Sequence, residues 1–120
     1  MVIKDIGSAS FFVAGDGTRL CELLHPEREP LQLNCSVAFA CLEPGCSSKP
    51  HRLSATEIYF ITEGEGIMHI DGESQPVFPG QLIYIPPGAL QSISQRGERA
   101  LGFLCIVDPA WSAEREEVVF

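Results

Sequence analysis

His51 and Glu57 are the two side chains of this sequence best suited to do chemistry together. Glu57 opens the run 57–62, which is rich in Ile, Tyr and Phe. A carboxyl group on the inner face of such a run is costly to bury unless something meets it: a metal ion, the imidazole of His51 or a hydroxyl. Met by the imidazole, the two groups make a general acid and a general base. Tyr59 has the same parity as Glu57 and Ile61, so it presents a phenol to the same face or packs there. The other histidines are weaker candidates. His69 alternates with Met68 and Ile70, which points it outward. His25 lies in the acidic loop His-Pro-Glu-Arg-Glu-Pro; it is expected at the surface, and joins the site only if that loop folds over it.

These groups need strands to position them. Nine prolines and eleven glycines are spread along the 120 residues and punctuate short apolar runs. That spacing predicts an all-β sandwich or barrel. The segment 34–42 alternates Ser36, Ala38 and Ala40 with Cys35, Val37, Phe39 and Cys41, a period of two. Runs at 57–62, 67–70, 81–85, 90–94 and 101–107 read as further strands. Glu63-Gly64-Glu65-Gly66, Asp71-Gly72, Pro86-Pro87-Gly88 and Arg96-Gly97-Glu98 read as the turns between them. The segment 18–24 fits a short helix or an edge strand. At the C-terminus Asp108 can cap and Pro109 suits a first helical position, so one or two helical turns are expected over 112–118, with Trp111 packed back on the barrel.

Composition sets outer limits. The chain has the size of one domain, 1–120. Sixteen acids against eight bases give a net charge of −8, which argues against nucleic acid and anionic membranes as partners. The longest apolar stretch, 101–107, is too short to cross a bilayer, and the first residues carry no apolar run of a secretory signal. The five cysteines form no CxxC pair; reduced, mostly buried thiols in a cytoplasmic protein are expected, with Cys46 the most exposed. A domain of this length buries about two-thirds of its unfolded surface, so it needs no structural metal, and any metal bound is functional.

The spacing Gly45-x5-His51-x-Leu53-x3-Glu57-x6-Gly64, followed after fifteen intervening residues by Gly80-x5-Pro86-x-Gly88-x2-Gln91, resembles the two motifs of the cupin family. Those read G-x5-H-x-H-x3–4-E-x6-G and G-x5-P-x-G-x2-H, and the resemblance spans about residues 34–107. It implies a double-stranded β-helix, or jelly-roll, barrel of eight to ten strands, with the short C-terminal helix added. It also implies a small-molecule ligand in the barrel, and a homodimer, for which Phe11-Phe12-Val13 supplies apolar surface. Cupins hold Zn, Ni, Cu, Fe or Mn, and the positions carried over as a reduced metal set are His51, Glu57 and Gln91. Gln91 alternatively satisfies backbone groups inside the barrel. Leu53 and Gln91 stand where the family has histidines; Leu53 is expected to pack and make one wall of the cavity apolar. Three functions follow: a metal-dependent enzyme or binder acting on a small organic acid, phenol or sugar-derived molecule; a metal-free acid–base enzyme of the epimerase or isomerase type using His51 and Glu57, with Tyr59 near; or a metabolite-binding module without chemistry.

Overall fold

The structure is a computed structural model and describes residues 1–119. Eleven strands follow one another: β1 Phe12–Val13, β2 Arg19–Leu24, β3 Ser36–Leu42, β4 His51–Leu53, β5 Thr56–Glu63, β6 Glu65–Ile70, β7 Glu73–Val77, β8 Leu82–Ile85, β9 Gln91–Arg96, β10 Leu101–Asp108 and β11 Glu116–Val118. They form a six-stranded sheet ordered β1-β2-β3-β10-β5-β8 and a five-stranded sheet ordered β11-β4-β9-β6-β7. Each recorded pairing is antiparallel. The two sheets face each other as a jelly-roll barrel, as the all-β expectation has it. Among the described residues no helix is long and apolar enough to cross a membrane.

Alternation decides which side chains enter. On β5 the buried residues are Glu57, Tyr59 and Ile61, every second position. On β10 Leu101, Phe103 and Val107 are buried, and on β9 Gln91 and Ile93. Ile61, Ile85, Ile93, Leu101 and Phe103 pack as one dry core between the sheets. Each such side chain contributes about 1.5–3 kcal/mol by leaving water. β3 turns its small residues inward: Ala40 joins that core, and Ser36 and Ala38 leave room beside it.

Three segments depart from the sequence pattern or resolve it. Of the two readings of 18–24, the strand is found: Leu20 packs toward the core while Cys21 is buried opposite Phe39 on the other face. β7 carries no alternation and a proline, and only Val77 is buried; an edge position tolerates both. The C-terminal helix is reduced to one 3-10 turn, Ala113–Arg115, and the residues after it form β11. There Glu116, Glu117 and Val118 pair with Leu53, Arg52 and His51. The good helix formers lose because β4 would otherwise present an open edge at the site. The Trp111 backbone is tied back, its N–H donating to Ser36 Oγ at 2.9 Å, but its ring remains 36% exposed rather than packed.

One turn glycine is held by contact and another only by its backbone. A Cβ at Gly64 (φ +72°) would stand 2.2 Å from the carbonyl oxygen of Ala100, whereas Gly72 (φ +85°) faces open space. Gly72→Ala should cost the left-handed strain alone, about 1–2 kcal/mol, and Gly64→Ala clearly more. Urea unfolding of both variants checks this order; equal costs would mean that the β5–β6 turn is not pressed against the start of β10.

Candidate functional site

Glu57, on β5, sits inside the barrel with 6% exposure. Its Oε1 accepts from the Gln91 amide at 2.8 Å and its Oε2 from the Cys105 thiol at 2.8 Å. Gln91, on β9, in turn accepts from the Tyr59 hydroxyl at 3.2 Å. The four side chains thus form one chain of donors and acceptors drawn from β5, β9 and β10. Burial raises the Glu57 pKa above the ordinary carboxylate range, opposed by the Cys105 and Gln91 hydrogen bonds and by His51. Burial also pushes the Tyr59 hydroxyl and the Cys105 thiol well up, reinforced by the nearby Glu57 charge. Tyr59 and Cys105 therefore keep their protons and act as donors, while Glu57 accepts at both oxygens.

His51 enters from β4. Its Nδ1 lies 2.8 Å from the carbonyl oxygen of Lys49. A carbonyl only accepts, so Nδ1 carries a proton and Nε2 is left to face inward. Opposite Nε2, at 3.7 Å, stands Asp16 Oδ2. Asp16 is fixed by its own turn: Oδ1 accepts from Thr18 N–H at 3.0 Å, and its carbonyl accepts from Lys49 N–H at 2.6 Å. Leu53, two residues beyond His51 on the same strand, is buried as apolar wall, as expected.

These groups bound a cavity of about 240 Å³. His51, Glu57, Tyr59, Leu53 and Cys105 line it, with Phe12 and Asp16 from the N-terminal side and Trp111 and Glu116 from the C-terminal side. Gln91 is not in that lining; it stands behind Glu57 and Tyr59. Asp16, Cys105, Trp111 and Glu116 were not expected as site residues from the sequence. Asp16-Gly17 reads as a solvated turn, and Cys105 lies in an apolar run, although its parity with Phe103 and Val107 points it inward. His25 is buried, not at the surface: Nε2 meets the Trp111 carbonyl oxygen at 2.8 Å and Nδ1 accepts from Glu27 N–H at 3.2 Å. It folds over the barrel as a clamp on the Trp111 segment, with both nitrogens used. His69 points away from the core, toward Ser74 and Ser94.

The donors, as they stand, do not fit a resident divalent cation. Both oxygens of Glu57 already accept hydrogen bonds, Gln91 turns its oxygen to Tyr59, and Leu53 offers no donor. Of the set expected to bind a metal, only His51 Nε2 lines the cavity without a hydrogen bond of its own. Among the described residues no three His, Cys, Asp or Glu side chains group around one point as a metal would need.

A family model described as Cupin domain matches residues 38–107. An uncharacterised protein of Methanocaldococcus jannaschii is 35% identical over 109 residues, 90% of this chain and 86% of its own length. An oxalate-binding protein of Thermotoga maritima is 34% identical over 67 residues, 55% of each chain. A solved structure described as a predicted oxalate decarboxylase of Thermotoga maritima superposes with a TM-score of 0.79 at 25% identity, covering 91% of this chain and 99% of that one.

Leu53 shares a face with His51, and Gln91 pairs with His51 across the β4–β9 ladder. The double change Leu53→His, Gln91→His should therefore aim two more imidazoles at the cavity. Ni²⁺ affinity should rise at least tenfold, about 1.4 kcal/mol, while the metal-free variant loses stability through the lost Leu53 packing. Isothermal titration decides it; unchanged affinity in a folded variant would mean that the three positions do not converge.

Proposed function

The chain belongs to the cupin domain family, and from that premise we propose that its barrel binds a small, mainly apolar molecule, held at its polar end by His51 and Glu57 without a resident metal. The cavity carries this reading. An aliphatic cavity of about 150 Å³ takes up benzene, so about 240 Å³ holds a ring-sized body with a short polar arm. Leu53, Phe12, Phe103 and Val107 offer that body an apolar wall. His51 Nε2 supplies an acceptor, or a second donor when protonated, and Glu57 a carboxyl group. Tyr59, Gln91 and Cys105 position Glu57. The likeness to an oxalate-binding protein supports a small molecule as ligand. The five free thiols suit a reducing, cytoplasmic setting.

One observation favours a second reading, proton transfer on that ligand. Burial favours the proton on Glu57, and the Lys49 carbonyl reserves Nε2 of His51 as a base, so an acid and a base share one wall. Phenol is a suitable probe for the binding reading. Titration followed by NMR should show binding that chelators leave unchanged and that His51→Ala and Glu57→Gln each weaken at least fivefold, with both variants folded. Binding lost to a chelator and restored by a metal would overturn the metal-free reading. The same experiment in D₂O with a small ketone tests the second: deuterium should enter beside the carbonyl with the wild type and not with either variant, and no incorporation by the wild type would count against it.

We also infer that two copies pair. Phe12 and Val13 are 50% and 69% exposed, and Leu82 and Tyr84 on edge strand β8 are 64% and 58% exposed. Open apolar edges of this kind are a liability unless covered. Sedimentation at micromolar concentration should give twice the 13.1 kDa chain mass; the mass of one chain would overturn the pairing.

A further inference from the structure

The charges that line the cavity are unbalanced. Four carboxyl groups, Asp16, Glu22, Glu57 and Glu116, face two basic side chains, Arg28 and His51. Arg28 is already committed, its guanidinium paired with Glu22. Glu57 is committed to Gln91 and Cys105. Two carboxylates keep capacity. Asp16 Oδ1 accepts from Thr18 N–H, and Oδ2 has His51 Nε2 at 3.7 Å, an ion-pair distance that leaves room for a hydrogen-bond donor. Glu116 Oε2 accepts from Trp111 Nε1 at 2.7 Å, while its Oε1 accepts nothing among the described residues. That Oε1 lies 3.5 Å from the point where a Cβ on Gly15 would stand, which sets it against the backbone next to Asp16. The free oxygens therefore belong to one end of the cavity, with Trp111 beside them.

An anionic ligand at that end would meet two carboxylates and no uncommitted guanidinium or ammonium. A cation would meet charge of the opposite sign and, in Phe12 and Trp111, exposed aromatic rings of the lining, whose faces attract positive charge. His51 stands against Asp16 alone, so Glu116 has no basic partner in the lining. We propose that the ligand is an organic cation, an ammonium group on a ring-sized apolar body, with the ammonium held between Asp16 and Glu116. This rests on the small-molecule reading above and gives that molecule its charge class.

Trp111 is the chain's one tryptophan and touches Glu116, so its fluorescence reports on this end. Benzylamine, benzyl alcohol and benzoate share a ring and differ in charge at neutral pH. Benzylamine should bind at least tenfold tighter than benzyl alcohol, and benzoate weakest of the three. Asp16→Asn and Glu116→Gln keep size and one acceptor oxygen, and each should erase most of the preference for benzylamine over benzyl alcohol. Glu98→Gln removes the same charge from an exposed turn, and should leave the preference intact. Benzyl alcohol binding as tightly as benzylamine, or benzoate binding tighter, would overturn the cation while the small-molecule reading stands. A preference lowered as much by Glu98→Gln as by Asp16→Asn would assign it to the net charge of −8 and overturn the site. Binding of none of the three would overturn both.

Discussion

A carboxyl group without water is the constraint around which this barrel is arranged. Glu57 lies between two sheets that otherwise exchange aliphatic and aromatic contacts, and a bare buried acceptor there costs about 1–3 kcal/mol, more if charged. The fold answers from three strands: Cys105 donates to one oxygen, Gln91 to the other, and Tyr59 keeps Gln91 from turning its oxygen toward the acid. Because Gln91 belongs to the five-stranded sheet and Glu57, Tyr59 and Cys105 to the six-stranded one, this relay also ties the layers to each other. The same arrangement explains why His51 stands alone. Its expected co-ligands have been turned to face each other.

The barrel interior has two unlike halves, and side-chain volume divides them. Where Ile61, Ile93, Leu101 and Phe103 meet, the sheets close on a dry core. Where β3 contributes Ser36 and Ala38, the opposing strands have nothing large to meet, and a cavity remains. Its polar groups are gathered toward the end formed by the Asp16 turn and the segment 111–116. A ligand therefore finds shape from missing methyl groups and orientation from a few fixed dipoles.

Much of this was legible in the residues. The small–large alternation of 34–42 already marked β3, though not which set faces inward, and the parity of Glu57, Tyr59 and Ile61 put all three on one face. What the chain could not reveal locally was who answers whom. Gln91 was a candidate ligand by position, but its role depends on Tyr59, 32 residues away. Asp16 sits in a turn that reads as solvent-facing, and only the Lys49 backbone contact brings it over His51. His25 seemed a surface residue because its loop is acidic, yet the Trp111 carbonyl buries it. The residues 116–118 have helical preferences that lose to an unpaired strand. Each miss is a long-range contact overriding a local preference.

The walls around the polar end are its least anchored parts. β1 has two residues and β11 three, at the margins of different sheets, and each carries or adjoins a lining side chain. Parting either from its neighbour breaks only a few ladder hydrogen bonds, whereas parting β5 from β10 would disrupt eight-residue strands and the core between them. Passage of a molecule in and out is thereby uncoupled from global unfolding. The strands bordering the cavity's polar end are thus the least cross-linked of the barrel, and the core behind them is the most.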